Sequence, residues 1–450
     1  MLSHDRWPLS VVQFAVFVAW SGLVLGHAEL TFAQTSFGQG ERQQAPGQTQ
    51  SPEQVRGSSG GRAVDVIPTI SISERYDSNL LRSTSRQLSD FVTDIRPGAR
   101  VNYSSDMVDA MMTGGALSAI HVNNPGLNYV GGFANVNATL DKISERMIRG
   151  FGLRVQEAIS YYPEQPAFVT PELPDSDFTR GIQARRNNSI TNVSTIQGTY
   201  TVNPLLQVNS SYSFQTRRFL GQPDTADPDA AIRLFNITTH TVTAGPNYYI
   251  SPNNLIGVAY AFRQPTFEPS SSGFPGAGGA STMGRSLAIH GASATWRSVL
   301  SRELTAEISP GVSIITATPN DPIWTMRASL QWQGQQKSAA LTYSRGVFPS
   351  FVGQAALMVS NVVTGTFSYE LSDRWNVMLG GNYAVNTRAG AGVDLRFESI
   401  SVNGTLRYMI YQGTFVTLAA THNEFKIDQP SQVRQFDREV VVLTLSSEWN

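Results

Sequence analysis

The chain has 450 residues and no cysteine. That excludes disulfide scaffolds, thiol nucleophiles and cysteine-ligated zinc or iron–sulfur centres. Charge is scarce as well. Asp, Glu, Lys and Arg make up 15% of the chain, where soluble globular proteins run near ~25%. Neither sign dominates: 33 basic residues stand against 34 acidic ones, without the basic excess of a nucleic-acid binder. Lysine is nearly missing, with Lys142, Lys337 and Lys426 the only three. Yet the chain is not greasy, for its mean hydropathy is −0.17. Ser, Thr, Asn, Gln and Gly supply the polarity.

Long apolar runs are also rare. The one present is 9–26 (LSVVQFAVFVAWSGLVLG), preceded by Arg6. Small residues follow, with Gly26 and Ala28, then Thr31 and Ala33, at spacings that suit a signal peptidase. This layout predicts a cleaved export signal over 1–33, cut after Ala28 or Ala33. The alternative is a membrane anchor, which needs about 20 apolar residues. Residues 34–63 are dominated by Gln, Gly, Ser and Pro and predict a flexible linker. The ordered body is expected over 64–450.

From there the hydrophobic period is two. In 324–333, Trp324, Met326, Ala328, Leu330 and Trp332 alternate with Thr325, Arg327, Ser329, Gln331 and Gln333. In 399–410, Ile400, Val402, Leu406, Tyr408 and Ile410 alternate with polar residues, and 375–386, 91–103 and 304–314 behave alike. Such alternation is the signature of strands with one apolar and one polar face. No convincing helical stretch follows residue 64. Eighteen candidate strands result, with 16–20 as the range.

Their connections alternate between short and long. Short ones include 203–204, 251–253, 335–337 and 411–413; long ones include 78–89, 162–188, 218–235 and 266–284. Strands of about 10 residues with short turns at one end and long loops at the other predict an all-β fold. It is a transmembrane antiparallel up-and-down β-barrel with short periplasmic turns and longer extracellular loops. A soluble sandwich would have shorter strands, and no blade-length repeat supports a propeller.

Aromatic spacing agrees. Trp324 and Trp332 share a face eight residues apart, which spans roughly 20 Å along a tilted strand. Trp375 and Tyr383 repeat the interval. These four and Trp449 are the candidate aromatic girdle. The last strand carries Val441, Leu443, Leu445 and Trp449 on one face. It resembles the C-terminal assembly signal of bacterial outer-membrane proteins, with Asn450 after the aromatic as a departure.

A second resemblance lies at the start of the ordered body. Ser71, Ser73, Glu74, Tyr76 and Asn79, followed by Ser89, Asp90, Phe91, Thr93, Ile95, Pro97 and Gly98, form two short motifs. They resemble the opening of outer-membrane β-barrel porins associated with exopolysaccharide export. The I-x-P-G piece recurs at Ile308-Ser309-Pro310-Gly311. The resemblance implies an outer-membrane conduit, with periplasmic export components and polysaccharide among its expected partners. Outer-membrane lipids and the barrel-assembly machinery are expected for any such barrel.

If the apolar face meets lipid, the other lines a lumen. By parity it holds Arg75, Arg96, Arg100, Arg154, Arg217, Arg263, Arg327 and Arg407 against Asp94, Glu307, Glu370 and Glu448. The excess of cations predicts a mildly positive interior that favours anionic solutes. Mutual pairing of these charges is the competing reading. The 162–188 connection is acidic first (Glu164, Glu172, Asp175, Asp177) and basic last (Arg180, Arg185, Arg186). It is expected either to fold inward and narrow the pore or to form a surface loop.

Catalysis finds little support. His121, His240, His290 and His422 fall on four separate strands, and no H-E-x-x-H, Walker A or G-x-S-x-G pattern occurs. His290 with Ser293 and His422 with Asn423 are the nearest raw material for a barrel enzyme. No catalytic, metal or cofactor site is assigned and no nucleic-acid partner is expected. The alternative to a channel is an enzyme or a structural or receptor barrel without an open pore.

Overall fold

The computed structural model describes residues 63–449, except 85–86, 165, 171–173, 184–185, 221–233, 270–285, 317–321, 353–356, 391–394 and 430–431. The expected export signal and linker lie outside the described residues, apart from Ala63, which opens the first strand.

The chain forms eighteen strands. The first six are β1 (Ala63–Asp77), β2 (Asp90–Ser104), β3 (Asp109–His121), β4 (Tyr129–Thr139), β5 (Phe151–Tyr162) and β6 (Ser189–Asn203). Next come β7 (Leu206–Phe219), β8 (Phe235–Ser251), β9 (Asn254–Pro269), β10 (Ile289–Val299), β11 (Leu304–Ile315) and β12 (Ile323–Gln333). The last are β13 (Lys337–Pro349), β14 (Leu357–Ser372), β15 (Trp375–Arg388), β16 (Arg396–Tyr411), β17 (Thr414–Gln429) and β18 (Gln432–Glu448).

Each strand pairs antiparallel with its sequence neighbours, and β1 also pairs with β18, from Thr69↔Glu448 to Asp77↔Val440. The sheet therefore closes. Closure satisfies the backbone of every strand internally, which is what a strand-built structure in lipid requires.

Turn chemistry explains the short connections. Asn203 Oδ1 accepts from the amides of Leu205 and Leu206 at 2.9 Å. Gly413 has φ +78°, and a Cβ there would lie 2.5 Å from the Glu448 carbonyl. One connection departs from the sequence expectation of no helix. α1 (Asp141–Met147) replaces part of the β4–β5 turn. Asp141 sits in its first turn and Arg146 in its last, which suits the helix dipole.

The repeated I-x-P-G piece has a structural role. Pro97 and Pro310 are exposed on the outside of β2 and β11. A Cβ on the following Gly98 would lie 2.8 Å from the Gly114 carbonyl oxygen, and one on Gly311 2.6 Å from that of Ala292. Only glycine lets the neighbouring strand approach that closely.

The two faces are of opposite character. Leu330, Leu341, Leu379, Val402, Leu418 and Leu443 all point outward and are exposed. Inside, the lumen is polar toward the turns but apolar toward the loops. There Phe219, Ile237, Phe267, Ile289, Ile315, Phe397 and Ile427 turn inward and pack with the loop residues Phe178, Ile182, Leu234, Phe351 and Val352. Simple parity does not foresee this. It assigns one polarity to a whole face, whereas the inward face changes polarity where the loops cover it.

Candidate functional site

The connection from β5 to β6 enters the barrel. Ser176, Asp177, Phe178 and Thr179 are nearly inaccessible, and Phe178 packs edge-on against Phe351 with ring centroids 6.5 Å apart. A loop buried to that degree needs partners for its charges and its backbone. It finds them on two sides of the wall.

Near the β1/β18 seam, Glu164 is the anchor. Its carboxylate lies 3.4 Å from Arg75 Nη1, 3.5 Å from Arg438 Nη2 and 3.3 Å from Arg186 Nε. Arg75 Nε also donates to Asp94 Oδ2 at 3.1 Å, and its Nη1 to Asp77 Oδ2 at 3.1 Å. Arg438 Nε donates to Asp77 Oδ1 at 3.0 Å. Burial opposes ionisation of Glu164, but Arg75, Arg438, Arg82 and Arg186 outweigh it and hold its carboxyl down at about 2. Arg82 is moved the other way: burial, and then the like charge of Arg438, lowers it to about 9. Arg75, Asp94, Arg96, Tyr129 and Glu164 line a cavity of about 200 Å³ beneath the loop.

The second set of contacts lies across the barrel. Asp175 lies 2.9 Å from Arg180 Nη2 within the loop and 3.7 Å from Arg327 Nη1 on β12. Burial works against the Asp175 charge, and Arg180 and Arg327 bring its pKa below the ordinary value. Asp177 lies 3.4 Å from Arg263 Nη1 on β9, and its backbone N–H donates to Gln215 Oε1 on β7 at 2.8 Å. Asn386 Nδ2 on β15 donates to the Arg180 carbonyl at 2.8 Å. Gly181, at φ +76°, passes so close to β15 and β16 that a Cβ would lie 2.4 Å from Ala384 Cβ and from Ser399 Oγ. The loop thus crosses the lumen and is fixed at both ends.

The parity-derived lumen residues divide accordingly. Arg75, Asp94 and Arg96 gather around the cavity, while Arg263 and Arg327 hold the loop acids. Arg217 lies in the apolar zone, its guanidinium 4.1 Å from the Phe351 ring centroid and 5.1 Å from that of Phe219. Arg100 meets Glu448 at 3.5 Å, and Arg407 stacks 3.6 Å over Phe415. Arg154 and Glu370 are exposed and take no part in either anchor, and Glu307 is partly buried on β11. Glu172 and Arg185 lie outside the described residues. Sequence reasoning missed Asp77 and Arg438. Both occupy inward positions on strands already recognised, so parity could have found them.

The aromatic candidates face outward. Trp324, Trp375, Tyr383 and Trp449 are exposed, and Trp332 Nε1 donates to Glu303 Oε2 at 3.1 Å. Arg345 stacks 4.0 Å over the Trp324 ring. The histidines form no catalytic arrangement. His240 and His290 are outside the barrel, each Nδ1 2.7 Å from a tyrosine hydroxyl, Tyr212 and Tyr260. His290 and Ser293 point to opposite faces, as do His422 and Asn423. Among the described residues no cluster of His, Asp and Glu could hold a metal.

A closed antiparallel barrel with an apolar outer face, an inner face polar toward the turns and a loop in its lumen is the architecture of bacterial outer-membrane proteins. The chain is a β-barrel of the Gram-negative outer membrane. No family model and no curated protein matches it. Solved barrels are similar to it at low identity. OccK3 (OpdO) of Pseudomonas aeruginosa is 10% identical over 86% of this chain and 96% of its own, at a TM-score of 0.41. OccAB3 of Acinetobacter baumannii is 12% identical over 86% and 99%, at 0.39. The siderophore receptor PirA of P. aeruginosa is 6% identical over 86% and 80%, at 0.43. The barrel assignment stands on the strand pairing of this chain.

Proposed function

We propose that the protein is a porin-like conduit whose passage is set by the 163–188 loop. The observation that carries this is the loop's double anchorage inside the lumen, by Glu164 at the seam and by Asp175 and Asp177 opposite. A loop that only covered the surface would need neither.

A role in exopolysaccharide export is a finer proposal, supported by the motifs at 71–79 and 89–98 alone. A preference for anions rests on the arginine excess. The ion pairs weaken it, because Arg75, Arg263 and Arg327 are already matched by acids. The apolar packing at the loop end supports a second reading, a closed structural or receptor barrel. Liposome swelling with neutral sugars of graded size separates the two. Swelling with the smallest sugars supports the conduit, and none at any size supports the closed barrel. Reversal potentials in a salt gradient address the charge preference, and cation selectivity removes the anionic proposal.

A further inference from the structure

The outer face of β13 runs from Leu341 through Tyr343 to Arg345. The first two belong to the apolar band. Arg345 stands at the loop-side edge of that band, its guanidinium 4.0 Å from the centroid of the outward Trp324 ring. A cation at this level is costly unless an anion or water meets it.

Other outward cations of the strands have acids of their own. Arg396 Nη2 lies 3.1 Å from Glu398, and Lys426 Nζ lies 3.1 Å from Asp428. Arg345 has no such acid among the described residues. It is held in place all the same. Its Nη1 donates to Asn361 Oδ1 on β14 at 2.8 Å, and its Nε to the Trp324 carbonyl at 3.3 Å. The Tyr343 hydroxyl donates to the same Asn361 oxygen at 3.2 Å. None of these partners carries a charge, so the guanidinium is fixed and its charge is left uncompensated. Its Nη2 makes no bond among the described residues. A rigid guanidinium with spare N–H groups suits the two-pronged binding of a phosphate.

We propose that Arg345, set by Trp324 and Asn361, binds a phosphate of a lipopolysaccharide molecule in the outer leaflet. The long loops mark the outer side of the membrane. The loop-side edge of the apolar band therefore meets the outer leaflet, where lipid phosphates lie between acyl chains and water. Beneath Arg345 the wall offers Met326, Leu341 and Val363, all facing outward. A cation above an apolar strip matches an amphiphile with an anionic head, whereas a soluble anion would use the cation alone. The site is independent of whether the lumen conducts.

Native mass spectrometry of the full barrel in detergent, titrated with bis-phosphorylated lipid A, tests this. The unaltered chain should retain lipid A about tenfold more tightly than Arg345→Ala, the worth of one charge-assisted pair. Lipid A stripped of its phosphates should bind both chains alike, at the weaker level. Arg345→Lys keeps the charge but loses the fork, and should fall between. Arg218→Ala removes an exposed cation at the loop end of β7 and should leave retention unchanged. Heat-modifiable mobility shows that each variant is folded. Equal retention by the unaltered chain and Arg345→Ala overturns the proposal, as does an equal loss in Arg218→Ala or binding that ignores the phosphates. Displacement of lipid A by an equal concentration of phosphatidylglycerol overturns the assignment to lipopolysaccharide.

Discussion

Glu164 and Arg75 stand 89 residues apart in sequence and meet 3.4 Å apart inside the barrel. One belongs to a loop, the other to the first strand at the closing seam. That contact ties the inner loop to the place where the barrel is zipped shut. Several expected outcomes derive from it and from the surfaces around it.

Replacing Glu164 with Gln should loosen the loop. Removing one partner of a buried ion pair costs about 3–5 kcal/mol when the remaining charges stay buried. Here Arg75, Arg186 and Arg438 would each lose an anion. Single-channel recordings should show frequent transitions to a larger conductance, absent from the unaltered protein. A record indistinguishable from the unaltered one would mean that Glu164 does not hold the loop.

Acid should act in the same direction. The Glu164 carboxyl is held at about 2 in the folded protein against an ordinary value of 4.5. Its contribution is fully present above 4.5 and is lost as pH falls toward 2. Asp175 is shifted the same way and adds to the effect. Limited proteolysis of the loop should stay flat at neutral pH and rise below about 4. The Glu164→Gln variant should lose much of that dependence.

Gly181 is constrained twice, by its φ of +76° and by its contact with β15 and β16. Gly181→Ala should cost about 1–3 kcal/mol from backbone conformation alone, with the clash in addition. Displacement of the loop should appear as altered conductance with unchanged heat-modifiable mobility. An unaltered conductance would show that the loop does not depend on this close passage.

The membrane band can be tested at Leu341, which pairs with Leu330 and faces outward between the levels of Trp324 and Trp332. Leu341→Arg should destabilise the barrel in bilayers by about 2–4 kcal/mol. Ala340→Arg, one residue away on the inner face, should change stability far less. Urea unfolding in lipid vesicles distinguishes them, and equal losses would place the band elsewhere.

Much of this architecture was legible in the sequence. Alternation such as Trp324 to Gln333 locates strands and faces, because side chains on a strand alternate with period two. It does not give height. Phe397, Phe425 and Ile427 sit on faces that parity reads as polar, and only the packed loops explain them. Glu157 poses the converse problem, an acid on the outward face that a list of lumen charges passes over. Contacts such as Glu164 with Arg438, 274 residues apart, depend on how the loop folds and leave no local pattern. The sequence allowed an inward or a surface loop, and it is the paired charges at both ends that place this one inside.

The measurement that bears most directly on the central claim is single-channel conductance of the chain lacking 164–178, recorded beside the unaltered protein in the same bilayer. If the loop sets the passage, the deletion raises conductance severalfold while heat-modifiable mobility shows an intact barrel. An intact barrel with unchanged conductance would contradict the account.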